Sequence, residues 1–107
     1  MQDTDKKIQE MQLLEQNLQN LLLQKQAFQM ELSETKSALK EIENSDEDVF
    51  KIIGQLMIKT DKTKIKEDLS NKEKILDLRT KTIEKQEASL TEQLDSLRED
   101  VMKGMKK

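Results

Sequence analysis

The chain has no cysteine, histidine, proline, tryptophan or tyrosine, and only two phenylalanines and two glycines in 107 residues. Each shortage removes a class of protein. Without cysteine there is neither a disulfide framework nor a thiolate metal site. Without histidine or cysteine the usual pairings of general base and nucleophile are missing, and two isolated glycines build no phosphate-binding loop. The carboxylates lie among lysines on helix surfaces, where solvated ion pairs are the ordinary state, so no enzymatic role and no cofactor is expected. No apolar run is long enough for a signal peptide or a membrane span, which predicts a cytoplasmic protein with no membrane partner. Aromatic residues make up 2% of the chain, too little bulky apolar material for an ordinary globular core.

What is present is charge and spaced aliphatic residues. The chain is 38% charged and 34% hydrophobic, with a net charge of −3 and the two signs interspersed. Regularly spaced leucine and isoleucine in such a background fit a coiled coil better than a disordered segment. A mild acidic balance gives no electrostatic footprint for nucleic acid. Lys59, Lys62, Lys64 and Lys66 do cluster, but Asp61, Glu67 and Asp68 offset them.

The long-period pattern stops at Val49-Phe50-Lys51-Ile52-Ile53-Gly54-Gln55-Leu56-Met57-Ile58, where seven of ten residues are apolar. Two short runs with strand preference flank Gly54-Gln55, and Gly accepts the positive φ that the first position of a tight type II′ turn requires. The expectation is a β-hairpin with Ile53 opposite Leu56 and Ile52 opposite Met57. A lone hairpin is marginal in water.

Residues 4–43 read as one helix, with a heptad seam of Met11, Leu14, Leu18, Leu21, Lys25, Phe28, Leu32, Thr35, Leu39 and Ile42, apolar at eight of ten positions. Ile8, Leu13, Leu22, Leu23 and Met30 widen the stripe. A helix of this length extends about 60 Å. Residues 44–48 form a polar linker. Its Ser45-Asp46-Glu47-Asp48 lacks the Gly and terminal Glu of a calcium loop, so it reads as solvated chain and not as a metal site. The hairpin spans 49–60, with Asp61 or Thr63 placed to cap the next helix.

The second helix is expected over 64–103. Leu69, Leu76, Ile83, Leu90 and Leu97 repeat every seven residues, while the other half of the stripe drifts among Ile65, Ile75, Leu78, Ala88, Leu94 and Val101. Lys72, Arg79, Gln86 and Gln93 stand in the strict frame. Such a helix needs the first one to pack on. Gly104 and the rest of 104–107 are expected to fray.

The expected fold is therefore mainly α, one unit over 1–107: a long antiparallel two-helix coiled coil joined by a single β-hairpin. Folding back would bring Ile42 near Ile65 and Met11 near Leu97. A parallel homodimer also satisfies the heptads, but it leaves the seven apolar residues around Gly54 exposed. Burying them is worth on the order of 10 to 20 kcal/mol, from 1.5 to 3 kcal/mol per side chain. Apolar groups lie on both ribbon faces and both edges are unpaired, so other chains must supply strands and cover. Val49, Phe50, Ile52, Ile53, Leu56, Met57 and Ile58, with Gly54 in the turn, are the predicted oligomerisation hairpin.

The combination of Leu22-Leu23-Gln24-Lys25-Gln26, Ser37-Ala38-Leu39-Lys40-Glu41-Ile42-Glu43, a short acidic linker, and Val49 to Thr60 followed by a second coil resembles the β subunit of archaeal-type prefoldin over essentially the whole chain. One hairpin favours β over the two-hairpin α subunit. Phe50 departs from a common tyrosine, the linker has no proline, and the second seam is unusually polar. The resemblance implies an ATP-independent holdase whose partners are prefoldin α subunits, in a hexamer of two α and four β. Its hairpins would join into a β-barrel body from which the coils project. Non-native proteins would be held at the coil tips and passed to a group II chaperonin. Ile8, Met11, Leu13, Val101, Met102 and Met105 are the predicted client-binding tip residues, with methionine suited to many partners. Ile8, Met11 and Val101 fit the coil seam equally well. The rival reading is a coiled-coil scaffold or spacer that binds no clients, which would not require the hairpin.

Overall fold

A computed structural model of the chain describes residues 2–105, in the order α1 (Gln2–Asn44), β1 (Val49–Ile53), β2 (Leu56–Thr60) and α2 (Lys62–Met105). No proline or glycine interrupts α1, and α2 contains a single glycine, Gly104, near its end. The chain divides into two compact units: the described residues of Met1–Ala27 with Thr80–Lys107, and Phe28–Arg79.

In Phe28–Arg79, the last turns of α1, the hairpin and the first turns of α2 are held by local polar contacts and a short seam. After Asn44 the backbone N–H of Glu47 donates to Ser45 Oγ at 3.1 Å, a side-chain-assisted bend. Asp61 is the N-cap of α2, since its Oδ1 accepts from Thr63 N at 3.1 Å and its carbonyl accepts from Ile65 N at 3.0 Å. The helix consequently begins at Lys62, two residues before the sequence reading placed it. Lys62 Nζ donates to the carbonyl of Ser45, tying the start of α2 to the end of α1. Leu76 and Thr35 are buried here. The Thr35 hydroxyl donates to the Glu31 carbonyl at 2.8 Å, one turn back, so this polar seam residue is buried with its hydrogen bond made. Glu31 pairs with Lys72 at 3.2 Å, and the Arg79 guanidinium lies 5.9 Å from the centre of the Phe28 ring.

The hairpin has the expected register: Val49 opposes Thr60, Phe50 opposes Lys59, Lys51 opposes Ile58, Ile52 opposes Met57 and Ile53 opposes Leu56. Gly54 has φ 60° and no other described residue has positive φ, which fits a type II′ turn over Gly54-Gln55. Its two strands form the whole sheet among the described residues.

In the other unit α1 and α2 run antiparallel, as their ion pairs show: Lys7, Glu15 and Lys25 meet Asp100, Arg98 and Glu87 in turn. The core is a line of Ile83, Leu94, Val101 and Thr80 from α2, against half-buried Met11, Leu14, Leu18 and Leu21 from α1. Every position of the expected α1 seam is buried or half-buried.

The α2 seam differs from its expected frame. The companions of Leu69, Leu76, Ile83, Leu90 and Leu97 are Glu73, Thr80, Glu87, Leu94 and Val101, all buried or half-buried, while Ile75, Leu78 and Ala88 are exposed. Lys72, Arg79, Gln86 and Gln93 are exposed as well. The regular aliphatic residues hold the d position of the heptad, so their partners follow by four residues and not by three. The helix also runs on through Gly104 and Met105, past the end expected at 103, where fraying was expected over 104–107; Lys106 and Lys107 lie outside the described residues. Gly104 falls seven residues after Leu97, in the seam line, and a Cβ there would sit 3.1 Å from Thr4 Oγ1. A side chain there would require the Thr4 hydroxyl to shift by a few tenths of an ångström.

Candidate functional site

Apolar side chains without cover in the chain mark two candidate surfaces. The first is the hairpin. Phe50, Ile52, Ile53, Leu56, Met57 and Ile58 are all exposed, from 45% at Ile58 to 70% at Ile52, and Val49 is half-buried. Directly opposed residues share a face, so Phe50, Ile52 and Met57 line one side of the ribbon and Val49, Ile53, Leu56 and Ile58 the other. Both faces are therefore apolar. The outer edges of β1 and β2 carry unpaired backbone donors and acceptors. The charged groups at its base, Asp48 and Lys59, pair with each other at 3.4 Å and are well solvated. What the ribbon can do chemically is add strands and bury apolar faces against other chains.

The second surface lies in the unit that contains the first turns of α1 and the last turns of α2. Leu13 is 59% exposed, Met102 59% and Met105 73%. Ile8 and Met11 are half-buried, and Val101 is buried against α1 at 8% exposure. Val101 lies seven residues after Leu94, on the seam line, so packing within the coil takes the whole side chain. Beside Leu13 an open groove is lined by Glu10, Leu13, Leu14, Gln93, Ser96 and Leu97. The carboxylates and bases of these turns are partly paired with one another, Lys7 with Asp100 at 3.8 Å and Arg98 with Glu15 at 3.5 Å. An exposed thioether on a flexible stem, next to solvated charge, accommodates apolar segments of varied shape.

Further apolar groups stand outside both candidate surfaces. Leu22, Leu23 and Met30 on α1, and Ile75 and Leu78 on α2, are exposed. The sequence marked the first three as a widening of the stripe. Their exposure follows from the narrow contact of a two-helix seam, which covers only the a and d positions and their immediate flanks. Among the described residues there is no cluster of acidic groups suited to a metal ion, and no helix is long and apolar enough to cross a membrane.

Comparison with known proteins yields one consistent set. A family model described as prefoldin subunit matches residues 5–107. The prefoldin subunit beta of Saccharolobus islandicus is 36% identical over 98 residues, 90% of this chain and 78% of its own length. That of Thermococcus onnurineus is 39% identical over 94 residues, covering 86% and 81% of the two chains. The crystal structure of the prefoldin beta subunit from Thermococcus strain KS-1 is similar with a TM-score of 0.87 and 35% identity, over 95% of this chain and 91% of that one.

Proposed function

The chain belongs to the prefoldin family as a β-type subunit, a non-enzymatic chaperone component, and on that premise we propose that it is an ATP-independent holdase. In this reading it assembles through its hairpin with prefoldin α subunits, as four β with two α, in the cytoplasm. The assembly holds non-native proteins at the ends of its coils and passes them to a group II chaperonin. The observation that carries the client-binding part is the pairing of large exposed apolar side chains, Leu13, Met102 and Met105, on the terminal turns of a coil whose seam is already satisfied by Val101 and Leu94. These three lie largely outside the core, with most of their apolar surface left in water.

The mechanism is passive. Unfolded chains expose apolar segments, and several weak contacts from several coil ends hold one client by multivalency, without a chemical step. The test is suppression of light scattering by an unfolding client, using the complex with its α partner. Combined Leu13→Ser, Met102→Ser and Met105→Ser substitution is expected to raise the chaperone concentration needed for half-protection by about tenfold, at 1.4 kcal/mol of lost binding, with the mass of the complex unchanged. Unaltered protection contradicts the assignment of these residues. An intact complex that protects no client at all moves the protein to the scaffold reading.

A further inference from the structure

One ion pair lies where a coiled coil gains most from apolar side chains. Lys25 falls seven residues after Leu18 and seven before Leu32, and Glu87 falls seven after Thr80 and seven before Leu94, so both hold seam positions. Their Nζ and Oε2 atoms are 3.2 Å apart, with side-chain exposures of 24% and 28%. Every other ion-paired side chain among the described residues is at least 40% exposed. Lys25 is also the only base on a surface groove otherwise lined by Glu84, Glu87, Ala88, Thr91, Glu92 and Asp95.

Shielding a charge pair from water removes much of what its attraction returns, so leucine at both positions would hold the two helices together at least as well. The pair does something that leucine would not. In a parallel, in-register pairing with a second copy, each a-position side chain faces its own counterpart. Lys25 would then meet a lysine and Glu87 a glutamate, both partly desolvated. A slip of one heptad within the chain is penalised too, because it puts Thr80 or Leu94 in place of Glu87 and leaves the ammonium without its carboxylate. We propose that Lys25 and Glu87 are partner-selecting residues, which favour antiparallel pairing of α1 with α2 and oppose parallel pairing of either helix with its counterpart in a second copy.

The native chain has no cysteine, so engineered ones report unambiguously. Leu18→Cys lies in the seam and cross-links between chains only when two copies of α1 pair in parallel. Glu15→Cys with Arg98→Cys, at the two ends of an ion pair, reports antiparallel pairing of α1 with α2 when joined by a bismaleimide long enough to span the two side chains replaced. In the full-length chain under mild oxidation, cross-chain disulfide from Leu18→Cys is expected to be scarce. It should rise about tenfold when Lys25→Leu and Glu87→Leu are added, the change that 1.4 kcal/mol of lost selectivity gives, and the bismaleimide cross-link between positions 15 and 98 should fall. Reversing the pair, Lys25→Glu with Glu87→Lys, keeps the attraction within the chain and the repulsion between copies, so cross-linking should stay at the native level. The proposal is overturned if the leucine variant cross-links no more than the native chain, or if the reversed pair cross-links as much as the leucine variant.

Discussion

The hairpin and the seams of the two units use similar aliphatic residues and treat them in opposite ways. Along the seam, Leu76, Ile83 and Leu94 are buried within a single chain. In the hairpin, Ile52, Ile53, Leu56 and Met57 stay more than half exposed, although their pairing is complete. The difference is geometric. Two helices share one contact line and can satisfy it between themselves, whereas a two-stranded ribbon has two faces and two edges and no third layer. The same chain therefore carries an element covered from within and an element whose apolar faces are left open, the one we assign to assembly.

Substitutions that act on one side of this contrast and spare the other test it, and the largest effect should come from the hairpin. Ile52→Asp puts a charge on a face that we assign to assembly. The dissociation constant of the complex should rise at least a thousandfold, roughly 4 kcal/mol, by analytical ultracentrifugation. Because Ile52 is exposed in the single chain, the helical content of the isolated subunit should be unchanged. Leu94→Ala is the mirror image: 3% exposed in the seam, it should cost about 3 kcal/mol in chemical or thermal unfolding followed by circular dichroism. Assembly at low temperature should survive.

Smaller effects separate the junctions from the surfaces. Asp61→Ala removes the acceptor for Thr63 N and should lower unfolding stability by about 1 kcal/mol, with Asp61→Asn nearly neutral. Lys72→Ala breaks the exposed pair with Glu31 and should change stability by no more than about 0.5 kcal/mol, less still at high salt.

The parts of the fold that were legible in the sequence are those set by local chemistry or by an unbroken period. Gly54 fixed the turn, and the turn fixed the pairing of Ile53 with Leu56 and Ile52 with Met57. The α1 seam, Met11 through Ile42, could be followed because eight of its ten positions are apolar. The α2 frame was harder because polar residues fill the companion line as far as Glu87. Counting four onward from each regular aliphatic residue reaches Leu94 and Val101, whereas counting three reaches only Lys72, Arg79, Gln86, Gln93 and Asp100. That contrast was present in the sequence and is the signal that identifies the seam. The neighbour of Gly104 could not be read in this way, since Thr4 lies at the other end of the sequence.

For the candidate surfaces, exposure at Leu13, Met102 and Met105 followed from their lying off the seam. Val101 was ambiguous until the frame of α2 was known. The Lys25 and Glu87 pairing could not be read from either helix alone, because a cation in one seam acquires its meaning only from the residue that faces it.

The most direct test of the division between a self-contained coil and an assembling hairpin is native mass spectrometry of the full-length chain, alone and after mixing with the two-hairpin α subunit from the same source. The account predicts a hexamer of two α subunits and four copies of this chain in the mixture. A simple coiled-coil dimer under both conditions would contradict it, because the apolar hairpin would then have no assembling role.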